Sequence, residues 1–165
     1  MSAALRLRPA RVEDAAAICD IYNYYVLHSG ATFEEQPVSV EDMAGRITLC
    51  LNEFIWLVAE KDDQLIGYAY ATRWKPRSAY RNTVETAVYV AHDRQRRGAG
   101  KLLLADLIRQ LRERGLHCAL AGICLPNDPS VAVHEALGFR KVGELEEVGF
   151  KFGQWLNVGY WELKL

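Results

Sequence analysis

A strand that runs into a glycine turn and out into an amphipathic helix governs what the middle of this 165-residue chain can become. Thr83-Val84-Glu85-Thr86-Ala87-Val88-Tyr89-Val90 has the β-branched and aromatic make-up of a strand. Gln95-Arg96-Arg97-Gly98-Ala99-Gly100-Lys101 follows, and Leu104, Leu107, Ile108 and Leu111 then recur at helical spacing up to Gly115. Two glycines one residue apart let backbone N–H groups come close to a ligand, with the positive end of the helix behind them. Such a turn holds phosphate oxygens; the competing reading is a basic helix start with no ligand.

Two common phosphate sites fail on residues. A Walker loop requires glycine where Gln95 stands and Ser or Thr where Leu102 stands. A dinucleotide fingerprint requires glycine at Leu103 and an acidic residue on the next strand, which reads Ala119-Leu120-Ala121-Gly122-Ile123. The pattern that fits is Gln/Arg-x-x-Gly-x-Gly/Ala after a strand. It resembles the pyrophosphate-binding turn of the GCN5-related N-acetyltransferases (GNAT), which makes acetyl-CoA the implied cofactor.

The remaining chain reads as one α+β domain over residues 1–165. Leu5 to Arg8 alternates as a strand ended by Pro9, and Ala15, Ile18, Tyr22 and Tyr25 mark a helix over about 12–27. Ser39-Val40-Glu41-Asp42 predicts a capping box for a helix to Leu51. Segments 54–59 and 65–70 flank a turn at 61–64 as a hairpin, and 118–124 is a short buried strand. Pro129 opens a helix with Gly138 as its C-cap, and strands at 139–146 and 155–164 complete the sheet. A chain of this length buries about 70% of its unfolded surface, enough for a full core. With a net charge of −1, nothing global points to nucleic acid or an anionic membrane, and the basic run near Lys101 suits a small anionic ligand. The opening residues Met1 to Arg6 carry no signal-peptide core and no run reaches membrane-span length, so the expectation is a cytoplasmic protein. Cys19, Cys50, Cys118 and Cys124 read as reduced core thiols, and no metal site is indicated.

Two residues carry candidate chemistry. Glu85 shares a strand face with Thr83, Ala87 and Tyr89, and a carboxylate in an apolar strand is costly unless paired or solvated. It is either a general base beside the ligand turn or a structural charge paired with an arginine. His134 lies within the helix after Asn127-Asp128-Pro129-Ser130. The pattern Asn-x-x-Ser/Ala followed by a helix ending Leu-Gly-Phe resembles the second signature of the same superfamily. There the Asn contacts the pantetheine arm and a helical Tyr protonates the departing thiolate. His134 stands at that Tyr position, which leaves its role open among acid, second base and substrate contact.

The resemblance extends over the chain. Ile21-Tyr22-Asn23-Tyr24-Tyr25-Val26, Ala31-Thr32-Phe33-Glu34, Leu125-Pro126-Asn127-Asp128-Pro129-Ser130 and Val148-Gly149-Phe150-Lys151-Phe152-Gly153-Gln154-Trp155 resemble the phosphinothricin N-acetyltransferases and their methionine sulfoximine and methionine sulfone acetylating relatives. The resemblance implies a mixed, splayed sheet flanked by helices, a homodimer, and direct acetyl transfer to the α-amino group of a small amino-acid analogue. It implies Glu85 as base and Val88, Tyr89 and Val90 aligning the pantetheine and thioester. Arg96, Arg97, Gly98, Ala99, Gly100 and Lys101 would hold the pyrophosphate, with Asn127 on the pantetheine. The acceptor would meet Lys75, Pro76 and Arg77 together with Glu85, Thr86 and Ala87. Trp74, Tyr80 and Phe33 are further candidates for its pocket, or packing aromatics. Two alternatives stand beside this reading: acetylation of another amine, such as a protein N-terminus or an antibiotic, and a non-catalytic acyl-CoA-binding module. Glu85 and His134 together weigh against the last, since a pure binder needs neither.

Overall fold

The computed structural model describes residues 4–95 and 98–165. Seven strands, β1 (Arg6–Pro9), β2 (Trp56–Lys61), β3 (Gln64–Arg73), β4 (Thr83–Val90), β5 (Cys118–Leu125), β6 (Arg140–Lys151) and β7 (Gln154–Lys164), form one sheet. Its order is β1-β2-β3-β4-β5-β7-β6, and only β4 and β5 run parallel. Four helices flank it: α1 (Ala15–His28), α2 (Val40–Glu53), α3 (Ala99–Glu113) and α4 (Asp128–Ala136).

Alternation along the strands builds a core on each face. Leu57 and Ala59 of β2 join Ala69 and Ala71 of β3 beneath Leu103, Leu104, Leu107 and Leu111 of α3. Trp56, Val58 and Tyr68 point the other way, against Ile18, Tyr22, Met43 and Ile47 of α1 and α2. The apolar stripe that predicts α3 is thus the face that docks on the sheet.

Strand β4 has the expected bounds, and the Ser39 cap forms: its Oγ accepts the Asp42 N–H at 3.0 Å. Other boundaries shift for local reasons. A turn of 3-10 helix at Val12–Asp14 precedes α1, and α2 continues to Glu53. The β2–β3 turn is two residues, Asp62 and Asp63, both at positive φ, so both strands extend towards it. Helix α4 starts one residue before Pro129 because Asn127 is its cap, and Leu137 rather than Gly138 ends it. Strand β6 runs to Lys151, past the expected end at residue 146. Its pairing with β7 slips between Leu145 and Gly149, where Glu147 takes φ 50°, and the bulge hides the continuing strand from an alternation reading.

Candidate active site

The β4–β5 ladder is short. It pairs Thr83 with Cys118, Val84 with Ala119 and Glu85 with Leu120, and there it ends. Beyond it, β4 continues on β3 as far as the Val90–Gly67 pair, while β5 continues on β7 as far as Leu125–Asn157. The two parallel strands therefore part at Glu85, and Thr86 to Val90 keep one edge without a strand partner. A cavity of about 770 Å³ occupies this splay. Its walls include Glu85 to Val90, Gly98 to Lys101 of α3, Asn127 and His134 near and within α4, and Gly30 to Phe33 after α1.

Glu85 stands where the strands part. Burial raises its carboxyl above the ordinary glutamate range, opposed in part by the charge of Lys75. No hydrogen bond or ion pair to another described residue stabilises its charged form. Carboxylates elsewhere in the fold are held differently. Arg46 grips Glu34 at 2.8 and 2.6 Å and pulls its pKa down, and Arg8 lowers Asp14 and Glu60. An unpaired, half-buried carboxylate on a cavity wall is a candidate for proton transfer, which a carboxylate locked to an arginine is not.

His134 is 3% exposed and packs edge-on to Phe139 at 5.1 Å. Its Nδ1 lies 2.7 Å from the Ser130 carbonyl, which can only accept, so Nδ1 carries the proton and Nε2 is a bare acceptor. Burial lowers its pKa below the ordinary histidine value, against the opposing pull of that hydrogen bond. That shift favours the neutral ring.

At the other end of the cavity, Gly98 takes φ 82° as N-cap of α3, a left-handed conformation that suits glycine, and no side chain caps the helix. Gly100 makes no such conformational demand: a Cβ there would make ordinary van der Waals contact with the Val90 side chain, at 3.4 Å. The uncapped N–H groups of the first turn, with Lys101 and Arg94 beside them, offer an anion site at the cavity wall. Arg96 and Arg97 lie outside the described residues. Asn127 Oδ1 caps α4 by accepting the Ser130 N–H at 3.3 Å, so its Nδ2 is the group left to donate to a ligand.

Thr86 and Ala87 line this cavity, whereas Lys75, Pro76 and Arg77 line a separate cleft of about 520 Å³ with Arg73, Arg81 and Arg114. Lys75 Nζ lies 5.1 Å from the centre of the Trp74 ring, and Trp74 packs edge-on to Tyr160 of the main cavity wall. Several lining residues carried no signal as single positions. Tyr25 donates to the Val90 carbonyl and accepts from Gln95 Nε2 at 2.6 Å, tying α1 to the end of β4. Tyr70, Thr72 and Tyr160 surround Glu85 only because the strands bring them there. Cys124 also lines the cavity, half-buried rather than a core thiol, and burial raises its pKa, which disfavours a thiolate nucleophile. No group of metal-ligating side chains occurs among the described residues, and none of their helices is long and apolar enough to cross a membrane.

Known proteins share this arrangement. The model of the Acetyltransferase (GNAT) domain matches residues 7–158. The chain is 41% identical over 158 residues to the phosphinothricin N-acetyltransferase of Streptomyces viridochromogenes, covering 96% of this chain and 86% of that one. It is 36% identical over 162 residues to the L-methionine sulfoximine/L-methionine sulfone acetyltransferase of Salmonella typhimurium, covering 98% and 95%. Among solved structures, the phosphinothricin acetyltransferase of Sinorhizobium meliloti in complex with acetyl-CoA superposes with a TM-score of 0.95 at 35% identity, covering 98% of this chain and 88% of that one.

Proposed function

The chain belongs to the GCN5-related N-acetyltransferases, the family model spanning residues 7–158, and on that footing we propose that it moves the acetyl group of acetyl-CoA onto the α-amino group of a small amino-acid analogue. The acceptors are of the phosphinothricin, methionine sulfoximine or methionine sulfone type, on which its relatives act. The observation that carries this reading is Glu85: unpaired, half-buried, and placed where β4 and β5 separate into a cavity. The cavity's fit to acetyl-CoA rests on the uncapped, left-handed helix start at Gly98 and on the free edge of β4.

In this reading Gly98 to Lys101, with Arg96 and Arg97, hold the pyrophosphate, while the edge of Val88, Tyr89 and Val90 and the Asn127 amide align the pantetheine. An amine attacks only when unprotonated, so Glu85 takes its proton directly or through a water. The nitrogen–carbon bond forms as the carbon–sulfur bond breaks, and water reprotonates the thiolate. Backbone N–H groups of the splayed strand stabilise charge on the carbonyl oxygen, a contribution of about 3–4 kcal/mol to the barrier in comparable sites. Neutral His134, its one proton held by the Ser130 carbonyl, serves as a hydrogen-bond acceptor on the wall rather than as the acid. Lys75, whose charge already acts on Glu85 although it lines the separate cleft, is the cation proposed to draw the acceptor carboxylate, with Pro76 and Arg77 in the same loop.

Two copies of the chain associate in this reading through the outer side of the β6–β7 hairpin. Phe150, Phe152 and Trp155 are 55%, 59% and 63% exposed there, more apolar surface than a lone hairpin tip retains without a partner. A cytoplasmic setting follows from the supply of acetyl-CoA. The direct test is acetyl-CoA-dependent thiol release with phosphinothricin, methionine sulfoximine, methionine sulfone and ordinary amino acids as acceptors. Turnover with one or more of the first three is expected, and release with none of the panel would sink the proposal.

A further inference from the structure

Lys151 ends β6, directly before the Phe152-Gly153 turn of the β6–β7 hairpin, and is 2% exposed. Its ammonium forms no ion pair with a described residue. It donates instead to three backbone carbonyls: Ser29 at 2.7 Å, Thr32 at 2.7 Å and Tyr25 at 3.5 Å. The centre of the Phe152 ring lies 5.0 Å from the ammonium as well, and no carboxylate among the described residues pairs with it, so the buried charge is costly to hold. What the ammonium does that an apolar side chain cannot is gather the last turn of α1 and the loop after it around one point. A cation suits the negative end of α1, and the loop carbonyls have no other strong partner there.

A second contact, on the same face of β6, acts on the same loop. The Phe33 ring lies against Gly149 so closely that a Cβ there would fall 2.2 Å from it. Between these two grips the loop is fixed from the cavity side as well. Tyr89 Oη donates to the Ala31 carbonyl at 3.3 Å, and Thr32 Oγ1 accepts the Glu34 N–H at 3.2 Å and pairs with Tyr22 Oη at 2.7 Å. Gly30, Ala31, Thr32 and Phe33 all line the cavity, sharing it with Tyr22, Thr72 and Tyr160 around Glu85, while the phosphate end lies at α3.

We propose that Lys151 is a positioning residue, which with Gly149 clamps the 29–34 loop into the acceptor-side wall of the active site. It touches neither acceptor nor acetyl-CoA; it acts through the backbone of Ser29 and Thr32. The inference rests on the acceptor reading above for its kinetic consequence, but the clamp itself does not depend on it. Burial lowers the Lys151 pKa, with Glu35 and Glu34 near enough to oppose the shift.

The test uses Lys151→Met and Gly149→Ala. Lys151→Met, which leaves orphaned carbonyls behind it, is expected to raise the acceptor KM by about tenfold or more while the acetyl-CoA KM stays within about twofold. Amide hydrogen exchange across 29–34 should quicken in the same variant. Gly149→Ala, whose new methyl would strike the Phe33 ring, should give the same kinetic signature. An unchanged acceptor KM in folded Lys151→Met, or an equal rise in both KM values, overturns the proposal. If Lys151→Met does not fold, an unchanged acceptor KM in Gly149→Ala overturns it. Should the wild type acetylate no acceptor, the substrate reading fails by itself, and unchanged exchange at 29–34 in Lys151→Met would then overturn the clamp.

Discussion

Glu34, Glu60 and Asp14 are drawn down by arginines, whereas Glu85 is raised by burial, and that contrast is why Glu85 is the proposed base. Glu85→Gln should leave the acetyl-CoA KM within about twofold and lower kcat by roughly 10²–10⁴, the usual contribution of a positioned base. Steady-state kinetics with each substrate varied in turn would check it, and wild-type turnover in the variant would remove Glu85 as base. Because the carboxyl is raised, the acidic limb of kcat/KM against pH should lie above the ordinary glutamate value of 4.5, with activity lost as pH falls through it. That limb should vanish in Glu85→Gln. His134 gives a stability prediction with its own sign. Its folded pKa lies below the ordinary 6.5, so the unfolded chain binds a proton that the fold refuses. Stability is complete above the unfolded value and declines as pH drops towards the folded one. Urea unfolding on both sides of 6.5 should show a smaller acid-side loss in His134→Asn than in the wild type. The identities of both residues drew attention in the sequence, but their roles did not separate there. Whether Glu85 has an arginine partner and which His134 nitrogen carries the proton depend on what packs nearby.

At the scale of elements, the site is made by a ladder that stops. Gly98 at φ 82° lets α3 begin beside the free edge of β4, and a Cβ there would meet no atom within 4 Å. Gly98→Ala therefore acts through backbone strain alone, about 1–2 kcal/mol for an alanine held left-handed. The expected result is a raised acetyl-CoA Kd by calorimetry with the acceptor KM little changed; unaltered affinity would move the pyrophosphate away from this turn. Ser39→Ala is the counterpart remote from the cavity. Losing the cap on α2 should lower stability by about 1 kcal/mol in denaturant titration and leave both KM values alone. Strand β4 and the glycine turn were legible because alternation and a conformational demand are local signals. The end of β6 was not, because a bulge at Glu147 and a mostly exposed strand blur the period that marks a strand. The splay itself is invisible in any one strand, since it is the absence of pairing between two.

For the whole molecule, two cores on opposite faces of one sheet hold α1 and α2 on one side and α3 on the other, and the cavity opens where the sheet divides. The apolar hairpin face lies outside both cores. Replacing Trp155 by glutamate and Phe150 by aspartate should convert a dimer to a monomer in sedimentation velocity, and a wild type already monomeric at micromolar concentration would remove the dimer reading. The sequence by itself determined the family, the elements and the glycine turn, because periodicity, caps and glycine spacing are written in adjacent residues. Only the tertiary structure decided which groups face the cavity. It left Glu85 without a partner among the described residues, placed Lys75 and Arg77 in a separate cleft and buried Lys151 against carbonyls more than a hundred residues away. Burial, desolvation and the meeting of distant backbone groups are properties of packing, and no local pattern encodes them.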